Sequence, residues 1–227
     1  MPIYTYESSN TLSRLANKLV IVDTSYLQDL SDPNEENFPI VFPFHRDAVA
    51  NNTKFVLNVV VRQEFLKLVR KSLLIDAMLT LAQSDARIED RYRAATNIRT
   101  NPLSYSNLNG TYERIYKDHL KLGDADLLLN ALNRDFWHEV QLLEAQANIA
   151  YVGAPSVGSI TWESLGILMQ NTGMAPTDAM IANCAFSIGA DAILTTDTDY
   201  APVGDLIDVY MPDRLATQCA AYDLKID

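Results

Sequence analysis

Apolar and polar positions along this chain follow two rhythms. Residues 18–23 (KLVIVD) form a short unbroken apolar run ending in Asp, the pattern of a buried parallel strand. Phe55 to Val61 (FVLNVVV) repeats it with β-branched residues. Between the two, Ser31 to Pro43 holds three prolines and several Asn and Asp residues, which predicts an irregular connection, with helix resuming over His45 to Asn51. After Val61 the rhythm lengthens. Phe65, Leu66, Leu68, Val69, Leu73, Leu74, Ala77, Met78 and Leu81 recur at intervals of three and four, predicting an amphipathic helix over Arg62 to Gln83. A second helix is expected over Ala86 to Ile98, a loop at RTNPLSYSNLNG, a third helix from Tyr112 and a fourth over Gly123 to Gln146. Strand and helix then alternate again. Ile149 to Val152 reads as a strand, Thr161 to Gln170 and Thr177 to Ile188 as helices, and Asp191 to Thr196 and Leu206 to Tyr210 as strands. Gly189 stands at the C′ position of the second of these helices, where a left-handed residue is cheapest.

Strands separated by helices predict an α/β fold, a parallel sheet flanked by helices. The length of 227 residues suits one domain enlarged by a mostly helical insertion at 87–146. No run of about 18 uncharged apolar residues occurs and the N-terminus lacks the order of a secretion signal, so a soluble cytoplasmic protein with no membrane partner is the expectation. Two cysteines, Cys184 and Cys219, are too few for a disulfide framework or a thiolate zinc site.

Charge complicates the picture. A net charge of −11 is a poor global match for a nucleic-acid binder. The distribution is uneven, however: Arg62 to Lys121 holds eleven basic residues against seven acidic, and beyond Lys121 three basic residues face fifteen carboxylates. Ordinary solvated helix faces would look the same residue by residue.

In an open parallel sheet, ligands sit outside the carboxyl ends of the strands, and the acidic residues fall at that edge. Asp23 ends the first strand, Glu64 opens the helix after the second, Asp178 opens a helix after Pro176, and Asp197 and Asp199 follow the strand AILTT. Five converging carboxylates repel unless cations neutralise them, and oxygen ligands without His or Cys select Mg²⁺ or Mn²⁺. Such ions act on phosphodiesters. Each acid also has a structural alternative. Asp178 and Glu64 could serve a helix dipole, with Thr177 as the cap beside Asp178, and Asp197 and Asp199 could be turn formers. Asp23, after LVIV in a buried strand, needs a partner in any reading. Ser25 and Thr195 could orient water or phosphate oxygens, or bond the local backbone.

VDTSYL, the strand-then-Glu of VVVRQEFLKLV, and above all PTDAMIANCAFSIGADAILTTDTDYAPV resemble PIN-domain nucleases, a family that includes toxin ribonucleases of the VapC type. The resemblance spans about residues 17–70 and 149–212. It implies a parallel sheet of four or five strands, Asp23, Glu64, Asp178 and Asp197 as catalytic metal-binding acids with Asp199 as a fifth ligand, and an endoribonuclease using Mg²⁺ or Mn²⁺ on RNA. It also implies a homodimer, and it leaves open an antitoxin or another protein partner. Two features depart from compact members: 113 residues separate Glu64 from Asp178, and the acidic balance suits a processing nuclease better than a toxin. The alternative is a PIN-like scaffold that binds RNA or protein without cutting. A phosphatase of the haloacid-dehalogenase type is disfavoured, because DTSYL lacks the second Asp two positions on. His45, His119 and His138 are expected to pack or lie on the surface. Trp137, Trp162, Tyr92, Tyr105, Tyr112 and Tyr116 are either packing residues or rings for exposed bases.

Overall fold

The computed structural model describes residues 3–98, 102–130, 148–151 and 162–223. The protein is an α/β protein with one all-parallel sheet. Its strands are β1 (Ile3–Thr5), β2 (Leu19–Val22), β3 (Lys54–Leu57), β4 (Ile149–Tyr151), β5 (Ala192–Leu194) and β6 (Asp208–Met211), in the order β1-β6-β5-β2-β3-β4. The helices are α1 (Thr11–Leu15), α2 (Thr24–Ser31), α3 (Phe38–Ala50), α4 (Val59–Ser84), α5 (Ala86–Thr96), α6 (Tyr105–Asn109), α7 (Tyr112–Leu122), α8 (Trp162–Thr172), α9 (Pro176–Ile188) and α10 (Asp213–Asp223), with a 3₁₀ turn at Thr198–Val203. The chain divides into two compact units, Met1–Phe65 with Glu144–Asp227, and Leu66–Leu143. The boundary falls inside α4. Among the described residues no helix is long and apolar enough to cross a membrane.

The sheet belongs to the first unit. β2 lies at its centre, with Val20, Ile21 and Val22 fully buried, flanked by β3 (Ile21 opposite Val56) and β5 (Val22 opposite Leu194). A strand covered on both faces reads as a continuous apolar run, which is why KLVIVD was legible. The connections step outward from β2 through β3 to β4, then return to the other side of β2 for β5 and β6. The order therefore reverses between β2 and β5, and a crevice opens at such a point beyond the strand ends.

The observed elements differ from the sequence pattern in instructive ways. A sixth strand, β1, pairs in parallel with β6, Ile3 opposite Val209. Three residues are too few to show a period. The expected strand Phe55 to Val61 stops at Leu57, because the buried Asn58 starts a helix instead: its Oδ1 accepts from the Val61 amide at 2.9 Å and its carbonyl from Arg62 at 3.0 Å. The three valines that suggested a strand thus form the first turn of α4, and Glu64 lies in the second turn of that helix. Asn58→Ala is expected to lower the unfolding free energy by about 1 kcal/mol, read as a lower urea midpoint. Helix α3 begins at Phe38, inside the expected irregular connection. Pro39 falls in its first turn, where the missing N–H has no partner to lose, and Pro43 forgoes one backbone bond. At the other end of the first unit, Gly189 (φ 66°) closes α9 as expected.

The second unit is helical over its described residues. Leu74, Ile75, Met78, Tyr92, Leu108, Ile115 and Leu128 are buried together. The expected loop at RTNPLSYSNLNG contains α6, whose Ser104 amide donates to Asn107 Oδ1 at 3.1 Å. Gly123 (φ 74°) ends α7 and does not open the next helix, which resumes at 126–130. The remainder of that expected helix, with Trp137 and His138, lies outside the described residues, as do Val152 and Thr161. His119 is fully buried, 2.7 Å from Asp124 by Nδ1 and 2.6 Å from the Tyr92 hydroxyl by Nε2. In the first unit His45 is buried too, its Nδ1 3.0 Å from Tyr26 Oη. Both histidines are packing residues. The cysteines Cys184 and Cys219 are buried thiols.

Candidate functional site

The site lies at the C-terminal ends of β2 and β5, in the first unit. Asp23 follows β2, its amide extending the ladder to the Leu194 carbonyl at 3.0 Å, and it caps α2 with extended backbone. The side chain is 4% exposed. Three hydroxyls converge on it: Ser25 Oγ (2.7 Å) and Thr195 Oγ1 (3.0 Å) donate to Oδ2, and Tyr200 Oη (3.1 Å) donates to Oδ1. Burial lifts the Asp23 pKa, while these donors and the Thr24 amide oppose the rise. The Tyr200 hydroxyl, fully buried beside this charge, has its own pKa pushed far upward by burial first and Asp23 second.

Ser25 and Thr195 carry a further set of bonds. Ser25 Oγ accepts from the Thr196 amide at 3.0 Å, and Thr195 Oγ1 accepts from the Asp197 amide at 2.9 Å. Their protons are directed at Asp23 and their lone pairs at the chain leaving β5. Both hydroxyls therefore fix the position of Asp23 relative to Asp197, which differs from the expected role of orienting water or phosphate. The next residue extends the tie: Thr196 Oγ1 donates to the buried Asp29 Oδ2, which also accepts from Asn37 Nδ2 at 3.1 Å.

The other acids come from separate elements. Glu64, half-buried, accepts from Thr24 Oγ1 at 2.6 Å through Oε2, which joins α4 to the start of α2. Asp197 accepts from the Asp199 amide at 2.9 Å and caps the 3₁₀ turn, so the turn-forming alternative describes its backbone contact accurately. Asp199 is exposed. Asp178 is the third residue of α9, whose cap is Ala175, not Thr177. No side chain or amide among the described residues donates to its carboxylate. Its pKa is pushed up to about 6, by burial first and then by the charges of Asp23, Asp197, Asp199 and Glu64 in that order. All five acids named from the sequence thus share one electric field. They do not share one bonding sphere: among the described residues no three His, Cys, Asp or Glu side chains are gathered tightly enough to ligate one ion. Like charges in a half-buried site add to the effect of burial by raising each other's pKa. A donor set of carboxylate oxygens suits a hard divalent cation, which would remove that repulsion.

Sequence reasoning did not assign roles to Tyr200, Thr24 or Asp29. Tyr200 closes the TTDTDY run, and Thr24 stands beside Asp23 in VDTSYL. Hydroxyl residues adjoining the candidate acids were the available signal. Asp29 carried none, one Asp among many in a helix. No protein-family model matches the chain, and no curated protein is similar to it at a significant level.

Proposed function

We propose that this protein is a PIN-type nuclease that hydrolyses RNA phosphodiester bonds, with Asp23, Glu64, Asp178 and Asp197 as the acids that hold Mg²⁺ or Mn²⁺ and Asp199 at the rim. The observation that carries this reading is the Asp178 carboxyl, lifted to about 6 by burial and then by the charges of four other acids, at the point where the strand order reverses. A divalent cation at such a site supplies neutralisation of the charge that builds on a phosphodiester under attack. The chain's own contribution is placement. Ser25, Thr195 and Tyr200 hold both oxygens of Asp23, Thr24 holds Glu64, and the Asp197 amide is fixed by Thr195. Groups held before the reaction need no reorganisation during it. RNA is the substrate on this reading, a homodimer or an antitoxin-like protein the further partner, and the cytoplasm the place of action.

Purified protein incubated with a mixed RNA pool and Mn²⁺ is expected to cleave it, and Asp23→Asn and Asp178→Asn are each expected to slow cleavage about a hundredfold or more. Equal cleavage by wild type and both variants would remove the assigned site. Titration calorimetry with Mn²⁺ separates a nuclease from a scaffold that binds without cutting, because only the former requires heat that depends on Asp197.

A further inference from the structure

The second unit carries rings and cations that the carboxylate site does not use. The Arg70 guanidinium lies over the Tyr116 ring, 5.3 Å from its centroid, and Lys71 Nζ stands 5.8 Å from the Tyr112 centroid. Tyr105, 41% exposed at the start of α6, belongs to the same group, since it and Arg70 both act electrostatically on the Tyr112 hydroxyl. Tyr112 and Tyr116 are four apart on α7 and therefore share a face, half in contact with the unit's core and half open. Arg114, Lys117 and Lys121, spaced by three and four, line a groove of about 420 Å³ along another side of the same helix, together with the carboxylates Glu113 and Asp118.

Pairing divides the cations into two sets. Arg87, Arg91, Arg93 and Lys121 each face a carboxylate within the unit. Among the described residues Lys67, Arg70, Lys71, Arg114 and Lys117 form no ion pair, and all of them reach solvent. Cation–π contact alone would account for Arg70 and Lys71 over their rings. It accounts neither for the open Tyr105 nor for the unpaired Arg114 and Lys117. An acidic peptide would satisfy the cations and leave the rings without a role, whereas a single-stranded polynucleotide needs both kinds of group: flat surfaces for its bases and positive charge for its phosphates. A duplex hides its base faces.

We propose that Tyr105, Tyr112 and Tyr116 with Arg70, Lys71, Arg114 and Lys117 form a binding surface for single-stranded RNA, with bases on the rings and phosphates on the cations. This rests on the reading of the carboxylate site as one that acts on RNA, and it is measured without divalent cations so that gripping and cutting fail separately. The probe is a fluorescein-labelled oligouridylate of about 16 nucleotides, followed by anisotropy in EDTA with the full chain. Wild type is expected to bind it at micromolar protein and to bind a blunt duplex of the same length more weakly. Arg70→Gln with Lys71→Gln, and separately Arg114→Gln with Lys117→Gln, are each expected to raise Kd fivefold or more. Each pair should also reduce the slope of log K against log salt by about 1.4, roughly 0.7 per lost phosphate contact on a single strand. Tyr105→Ala, an exposed position outside the buried core, should raise Kd by about fivefold or more through lost stacking. Absence of wild-type binding, an unchanged Kd in all three variants, or equal affinity for the duplex would each overturn the proposal. Circular dichroism of each variant separates lost contacts from lost structure. Should the Arg70 and Lys71 pair unfold the protein, the other two variants still decide.

Discussion

In the absence of divalent cations at pH 7.5, Asp178→Asn is expected to melt at a higher temperature than wild type, even though it is also expected to slow the proposed cleavage. Burial and the neighbouring acids push the Asp178 carboxyl up to about 6 in the folded chain, whereas the unfolded chain leaves it at the ordinary Asp value. Between those values the folded state holds the extra proton, so stability falls as pH rises through that window and the penalty is complete above it. Asn carries no charge at any pH and escapes the penalty. Solvent reaches this half-buried side chain, so after screening the effect is about 1 kcal/mol, or about 2–4 °C for a chain of this size. The gain should shrink to nothing as pH falls to about 4, below which both carboxyls are protonated. Adding Mn²⁺ is expected to reverse the ranking, because a cation that binds only the folded state stabilises it by mass action, and the variant lacks one of the proposed ligands. Melting curves across pH, with and without Mn²⁺, check each part. A wild-type midpoint indifferent to both pH and cation would show that the five acids do not act as one site.

A larger loss of stability is expected at Asp23, and there the shape of the replacement matters more than its charge. Asp23→Ala leaves the Tyr200 hydroxyl without its acceptor in a fully buried position, and removes the acceptor shared by Ser25 and Thr195. Ser25 and Thr195 keep the bonds they accept from the Thr196 and Asp197 amides, but their protons lose Asp23 and have each other, 3.2 Å apart, as the remaining partner. The orphaned buried hydroxyl protons and the space left behind together cost about 2–4 kcal/mol. Asp23→Asn retains one carbonyl oxygen for Tyr200 and turns its amide toward hydroxyls that can accept, so it should cost about 1 kcal/mol or less. Both are expected to lose the proposed cleavage to a similar extent. Urea unfolding beside rate measurement resolves the pair: equal destabilisation by Ala and Asn would contradict the hydroxyl network, and retention of activity by Asn would contradict a role for the charge.

Much of the arrangement was legible wherever burial leaves a long apolar signature. The runs at 18–23 and 191–196 place Asp23 and Asp197 because central parallel strands must be apolar on both faces. The helix around Asp178 was readable from Pro176 at its start to Gly189 at its end, both positions where backbone geometry restricts the residue type. What escaped was local chemistry that competes with propensity. Asn58 turned three valines into helix because one side-chain bond to an amide decides where a helix starts, and no count of β-branched residues contains that bond. The partners of the acids were hidden for a different reason. That Tyr200 meets Asp23 and Thr24 meets Glu64 depends on which strands are neighbours, and strand order is not written in periodicity.

The edge strand β1 has a consequence for biogenesis. Ile3 finds its partner at Val209, so β1 is paired only after β6, far later in the chain, has emerged from the ribosome. Contacts so distant in sequence form slowly, because the loop between them must close first. A nascent or truncated chain lacking β6 would present the side of β5 unprotected, with β1 unattached, inviting association with other chains. The same order of events leaves Asp23 without Asp178 and Asp197 until residues far along the chain have emerged.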